Sequence, residues 1–113
     1  MNKLQNRLLD YNTRVYAIIK SFDKDPLLFD NKNQLLRSSS SPGANYSEAQ
    51  SASSRKDFHN KIRIALKEMR ESFYWLNFFQ RINKPNDQLD SLIEESEELC
   101  KILSAIAFKT QKP

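Results

Sequence analysis

The residues best suited to chemistry lie between positions 55 and 74, and most of them are basic. Polar residues recur there at intervals of four and three and form a basic stripe: Lys56, Asn60, Arg63, Lys67, Arg70 and Tyr74. On a helix this stripe would lie about 200° from the apolar seam of the same segment. Cations that neutralise phosphates release condensed counterions, and tyrosine can stack on an unpaired base. The pattern predicts a nucleic-acid-binding surface that begins at Arg55, with an ordinary solvated helix face as the alternative.

The charge of the chain is concentrated in the same segment. From Arg55 to Arg70 there are six cations against two carboxylates, an excess that equals the net charge of +4 of the whole chain. The remainder is therefore close to neutral, so RNA or DNA is the expected partner of this segment in particular.

Residues for catalysis or cofactor binding are scarce. The chain has one histidine, His59, one cysteine, Cys100, and one glycine, Gly43. The histidine and the cysteine are far apart in the sequence, and a single glycine excludes the usual glycine-rich phosphate loops. We therefore expect no catalytic residue, no metal site and no cofactor, and predict that the protein is not an enzyme. His59 is expected at the surface beside the basic stripe.

Aromatic residues near the end of this segment, FYWLNFF at positions 73–79, point around almost the whole circumference of a helix. One core can cover only one side of such a helix, so the other side is expected to be buried against another subunit. The predicted oligomer interface consists of Phe73, Trp75, Phe78 and Phe79. The pattern alone does not give the number of subunits.

A second polar group, Arg37, Asn45 and Glu48, is predicted to share one edge of a helix. Buried polar groups require partners, and these three would satisfy one another. We interpret them as a structural hydrogen-bond network that fixes helix register; the floor of a binding site is the alternative.

Four helices are predicted to position these residues. Apolar residues four and three apart mark residues 3–22, 55–82 and 87–109 as amphipathic helices. Pro26 and the turn sequence NKPND at residues 83–87 end the first and the third of them. Ser54 is predicted to cap the third helix, with Asp57 in the reciprocal position of a capping box.

The remaining segment, RSSSSPGANYSEAQSASSRKDF at residues 37–58, has the composition of a disordered linker. Its small residues nevertheless continue the four-three spacing of apolar Leu35, which favours a helix. We predict a second helix over residues 31–52, kinked at Pro42 because proline cannot donate a bond to the Ser38 carbonyl. A linker is the alternative, since serine, glycine and proline are poor helix formers.

Four helices with short connections and no strand pattern predict one all-α domain over residues 1–113, an antiparallel up-and-down four-helix bundle. A lone cysteine cannot form an internal disulfide, as is usual in the cytoplasm, where we expect the protein. The first residues lack the apolar core of a signal peptide, and the longest apolar run, VYAII, is too short to span a membrane. No membrane partner is expected.

The sequence also resembles the four-helix bundle family named after proteins encoded in intervening sequences of bacterial 23S ribosomal RNA genes. The matching residues are QLLR at 34–37, GAN at 43–45, EA at 48–49, KDF at 56–58, ALKE at 65–68, YWL at 74–76 and, more loosely, LCKIL at 99–103. The resemblance implies a homopentamer with no settled molecular function. More distantly, the chain is similar to the accessory variability determinant proteins of diversity-generating retroelements, which implies binding to nucleic acid and to a reverse transcriptase.

Two functions are consistent with these residues. The first is a non-enzymatic, oligomeric accessory protein that binds RNA or DNA through the basic stripe. The second is a scaffold that binds another protein through its aromatic surface or oligomer rim, with the cations only keeping it soluble.

Overall fold

The computed structural model describes residues 1–111, and helices account for most of them. Four α-helices follow one another: α1 (Lys3–Ser21), α2 (Phe29–Ala49), α3 (Arg55–Ile82) and α4 (Asp87–Thr110). A 3₁₀ helix, Pro26–Leu28, precedes α2. The described part of the chain contains no strand, so the all-α prediction is confirmed.

Side-chain caps determine where three of the helices begin. The Asn2 side chain accepts a hydrogen bond from the Gln5 amide at 2.8 Å, and the Gln5 side chain accepts one from the Asn2 amide at 2.7 Å. Ser54 accepts from the Asp57 amide at 3.0 Å, as predicted, but the Asp57 carboxylate accepts from the amide of Ser53 rather than that of Ser54. Such caps satisfy amides that have no partner within the helix.

The serine-rich segment is helical. Residues 37–49 belong to α2, so the helical prediction is confirmed for them and the linker alternative is wrong. The helix begins at Phe29 rather than Asn31 because the 3₁₀ turn leads directly into it. It ends at Ala49 rather than Ala52, since the next three amides bond to carbonyls three residues back, as in a tightened last turn. α2 continues through Pro42, and the kink there stays a prediction.

Serine is tolerated in α2 because its hydroxyls bond to the helix itself. Ser38 donates to the Gln34 carbonyl at 2.8 Å, and Ser40 donates to the Leu36 carbonyl at 2.7 Å. These bonds satisfy hydroxyls that face the neighbouring helices. Ser38 and Ser39 are therefore buried without an unpaired polar group.

Each helix packs on the next one along the chain, and α4 packs back on α1. Hydrogen bonds fix the directions: Arg7 bonds to Glu95 and Arg14 to Ser91, so α1 and α4 run antiparallel. The bond from Asn2 to Tyr46 likewise joins the start of α1 to the end of α2. This is the up-and-down order of a helix bundle with short connections.

One apolar cluster lies between the four helices. Its fully buried members include Leu8, Val15, Leu35, Ile62, Met69, Leu76, Phe79, Leu89, Leu99 and Leu103. Tyr11 brings a hydroxyl into this cluster and hydrogen-bonds to the buried Ser72. Burial raises the pKa of Tyr11, which keeps the phenol neutral.

The resulting molecule is elongated, about 47 × 23 × 22 Å. Among residues 1–111, no helix combines the length and the apolar character that crossing a membrane requires.

Candidate nucleic-acid interface

An open groove runs between α3 and the C-terminal half of α4. Three cations of the basic stripe, Arg63, Lys67 and Arg70, line its α3 side. The α4 side is formed by small residues and one large aromatic ring: Ser104, Ala107 and Phe108. The groove has a volume of about 910 Å³ and is open to solvent.

The groove continues along α4 into a second depression. Arg70, Ser104 and Phe108 line both parts, and the second part adds Cys100 and Lys101. None of the residues that line either part is Asp or Glu. The surface therefore presents positive charge without the carboxylates that would neutralise it.

The acids of α3 are held away from this groove by bonds to other residues. Arg37 of α2 donates to Glu68 at 2.9 Å and to Glu71 at 2.7 Å. The third acid, Asp57, bonds to the amide of Ser53 at the helix start. Within residues 1–111, Arg63, Lys67 and Arg70 form no ion pair, so their charge is available to an anionic ligand.

The pairing with Arg37 also keeps Glu71 ionised. Burial would raise the pKa of Glu71, but hydrogen bonds from Arg37 and from the Trp75 indole lower it below its usual value. The same bonds raise the pKa of Arg37. α2 thus supplies the cation that neutralises the acids of α3 on the side away from the groove.

The structure divides the predicted nucleic-acid-binding residues into two groups. Arg63, Lys67 and Arg70 line the groove together. Arg55 instead donates to the Lys109 carbonyl at 2.9 Å, near the end of α4. Lys56 and Tyr74 are exposed but are not among the lining residues.

Sequence reasoning missed the contribution of α4. Lys101, Ser104 and Phe108 are three and four residues apart, so they share one face of α4. That spacing was a usable signal, but only the packing of α4 on α3 shows that this face meets the basic stripe. His59 also lines the groove, and its Nδ1 lies 2.8 Å from the Thr110 hydroxyl.

The predicted oligomer interface is only partly available on the surface. Phe79 is 0% exposed and stacks on Phe22 with ring centroids 4.7 Å apart, so its assignment to the interface is wrong. Trp75 and Phe78 are half-buried and pack against the apolar core. Phe73 is half-buried as well. Packing within one chain thus covers more of α3 than the aromatic pattern suggested.

The predicted network of Arg37, Asn45 and Glu48 does not form among its own members. Arg37 bonds to Glu68 and Glu71, as described above. Glu48 accepts from Lys61 at 2.8 Å, and Asn45 bonds to the Ser41 carbonyl at 3.0 Å. Two of the three therefore join α2 to α3. The prediction was wrong because Arg37 and Glu48 lie about 16 Å apart along α2, too far for a network of these three side chains.

A model of the family described as 23S rRNA-intervening sequence protein matches residues 2–105. The chain is also similar to a solved structure of a protein of unknown function from the S23 ribosomal protein family of Bacteroides thetaiotaomicron VPI-5482. Their sequences are 36% identical with a TM-score of 0.82, over 91% of this chain and 96% of that one. No curated protein matches the sequence.

Proposed function

This chain belongs to the 23S rRNA-intervening sequence protein family, and we propose that it acts as a non-enzymatic, homo-oligomeric accessory protein that binds nucleic acid. The proposed binding surface is the groove between α3 and α4. RNA and DNA both present the phosphates that such a surface would neutralise.

The observation that carries the proposal is the absence of carboxylates from a cation-lined groove. Arg63, Lys67, Arg70 and Lys101 line its two parts without any Asp or Glu. Outside the groove, three cations form ion pairs: Arg7 with Glu95, Arg37 with Glu68 and Glu71, and Lys61 with Glu48. A surface that only kept the protein soluble would be expected to mix cations and carboxylates.

A non-enzymatic role is consistent with the state of the two residues that most often act as nucleophile and base. Burial raises the pKa of Cys100, an effect that nearby Arg70 only partly offsets, so the thiol is not activated. The ring of His59 bonds to Thr110, at the end of the groove away from Cys100.

Self-association would repeat the groove around an assembly and so multiply its phosphate contacts. We propose a homopentamer, on the strength of the resemblance described above. Light scattering at micromolar concentration would then give a mass near five times the 13.3 kDa of one chain. A sharp monomer peak would contradict self-association.

Trp75→Glu is a poor probe of assembly because Trp75 packs on the core. Tyr74→Glu is a better probe, since Tyr74 is 61% exposed.

A filter-binding titration against RNA and duplex DNA over a salt series tests the proposed function. Phosphate contacts make the logarithm of the binding constant fall linearly with the logarithm of salt concentration. We expect measurable binding with such a slope. Failure to bind either nucleic acid at low salt would refute the proposal.

The scaffold alternative is supported by a separate surface at the opposite end of the bundle. Leu27, Phe29 and Ile82 are exposed there by 83%, 67% and 49%. Leu27 and Ile82 line one depression with Phe78 and Pro85. An apolar surface of this kind fits a protein partner, and such a partner would leave the α3–α4 groove free.

A further inference from the structure

We infer that the α3–α4 groove takes single-stranded nucleic acid, with the ring of Phe108 stacking on an unpaired base between phosphates bound by the neighbouring cations. The inference rests on the proposed function and deepens it, because it names the substrate class. The groove would recognise such a strand through an exposed aromatic face within a cluster of unpaired cations.

Phe108 is 73% exposed, although it is a large apolar side chain in the last turns of a long helix. The α4 residues one turn before it and next to it in the groove are small, namely Ser104, Ala105 and Ala107. No larger side chain from α4 therefore covers the ring. An aromatic face left open in this way is available to another flat group.

Cations from both helices line the groove together with this ring. Phe108 lines one part of the groove with Arg63 and Lys67, and it lines the other part with Lys101. Arg70 is common to the two parts. From Arg63 to Arg70 the rise along α3 is about 10 Å, so the cations span more than one phosphate of a strand. A strand that follows the groove would thus place its backbone beside cations and a base beside Phe108.

Stacking on Phe108 requires a base that is not already covered. In a duplex, each base is paired and stacked on its neighbours, so its faces are unavailable except at the ends. Unpaired bases can be splayed out and stacked on aromatic side chains. A single strand is therefore the ligand that uses both the ring and the cations.

The test compares a fluorescein-labelled single-stranded 20-mer RNA with the same sequence in a duplex, by fluorescence anisotropy at fixed salt. Phe108→Ala removes the ring, Phe108→Tyr keeps an aromatic face, and Phe108→Leu keeps apolar bulk without one. Phe29→Ala is the matched control, since Phe29 is 67% exposed and lies at the start of α2, away from the groove. Circular dichroism and light scattering verify that every variant keeps its fold and mass.

We expect wild-type protein to bind the single strand more tightly than the duplex. Phe108→Ala and Phe108→Leu should each weaken single-strand binding by about 5- to 150-fold, the loss typical of one base–aromatic stack. Phe108→Tyr and Phe29→Ala should bind nearly as wild type, and the salt slope should be unchanged because no phosphate contact is lost.

Failure of this inference can be told apart from failure of the proposed function. If Phe108→Ala binds as tightly as wild type, or if the duplex binds as well as the single strand, the stacking inference is wrong while nucleic-acid binding stands. If wild type binds neither probe, both are wrong. A lower mass for Phe108→Ala in light scattering would place the ring in a contact between copies of the chain, and would also overturn the inference.

Discussion

Gly43 provides a sharp test of how α2 packs on α1. A β-carbon added at Gly43 would lie 3.5 Å from the β-carbon of Leu8, which is an ordinary van der Waals contact. The backbone there is helical, with no positive φ, so alanine adopts it without strain. Alanine removes the entropic cost of glycine within a helix, about 1 kcal/mol. Gly43→Ala should therefore raise the free energy of unfolding by about 1 kcal/mol and the melting temperature by about 4 °C.

A larger side chain at the same position should have the opposite effect. The Leu8 carbonyl carbon and oxygen are 3.9 and 4.0 Å from the added β-carbon, so a leucine side chain directed at α1 would overlap it. Gly43→Leu should destabilise the fold by about 1–3 kcal/mol, the usual cost of overpacking. Urea and thermal unfolding at one protein concentration measure both changes, with light scattering to verify equal assembly. Destabilisation by alanine would refute the described contact of α1 with α2.

Two further predictions concern bonds that join the helices. Arg37→Gln should raise the pKa of Glu71, because a bond that lowers it is lost; NMR titration of the Glu71 carboxyl measures this, and an unchanged titration would contradict the ion pair. Because the folded-state pKa of Glu71 is lowered, the ion pair contributes stability above the unfolded pKa, and this stability is lost as pH falls through the folded pKa. Wild type should therefore lose more stability than the variant as pH falls below about 5. Tyr11→Phe should cost about 1–3 kcal/mol by leaving the buried Ser72 hydroxyl without its partner. Adding Ser72→Ala should recover part of that loss in urea unfolding, and strictly additive losses would argue against the bond.

Periodicity alone predicted most of the fold. The four-three spacing located α1, α3 and α4, and it remained informative in α2 although small residues replaced the apolar ones. Composition pointed to a linker there because serine, glycine and proline are poor helix formers. In this protein the Ser38 hydroxyl bonds to its own helix, so burying it costs little free energy.

The candidate site was less predictable because it depends on contacts between helices. Arg63, Lys67 and Arg70 share one face of α3, and helix geometry alone brings them together. Nothing in that spacing shows which face of α4 packs beside them, so Phe108 was missed. Phe79 illustrates the reverse error: an aromatic run suggested a second contact surface, whereas packing on Phe22 buries this ring within the chain.

The salt dependence of binding, compared between two variants of equal net charge, tests the central claim most directly. Arg63→Glu with Lys67→Glu reverses two cations of the groove, and Lys3→Glu with Lys84→Glu reverses two exposed cations outside it. On a single strand, the groove variant should flatten the log-log salt slope by about 1.4, since each lost phosphate contact removes about 0.7. The control variant should keep nearly the wild-type slope. Equal slopes for the two variants would show that binding follows net charge alone, and would contradict the assignment of phosphate contacts to the groove.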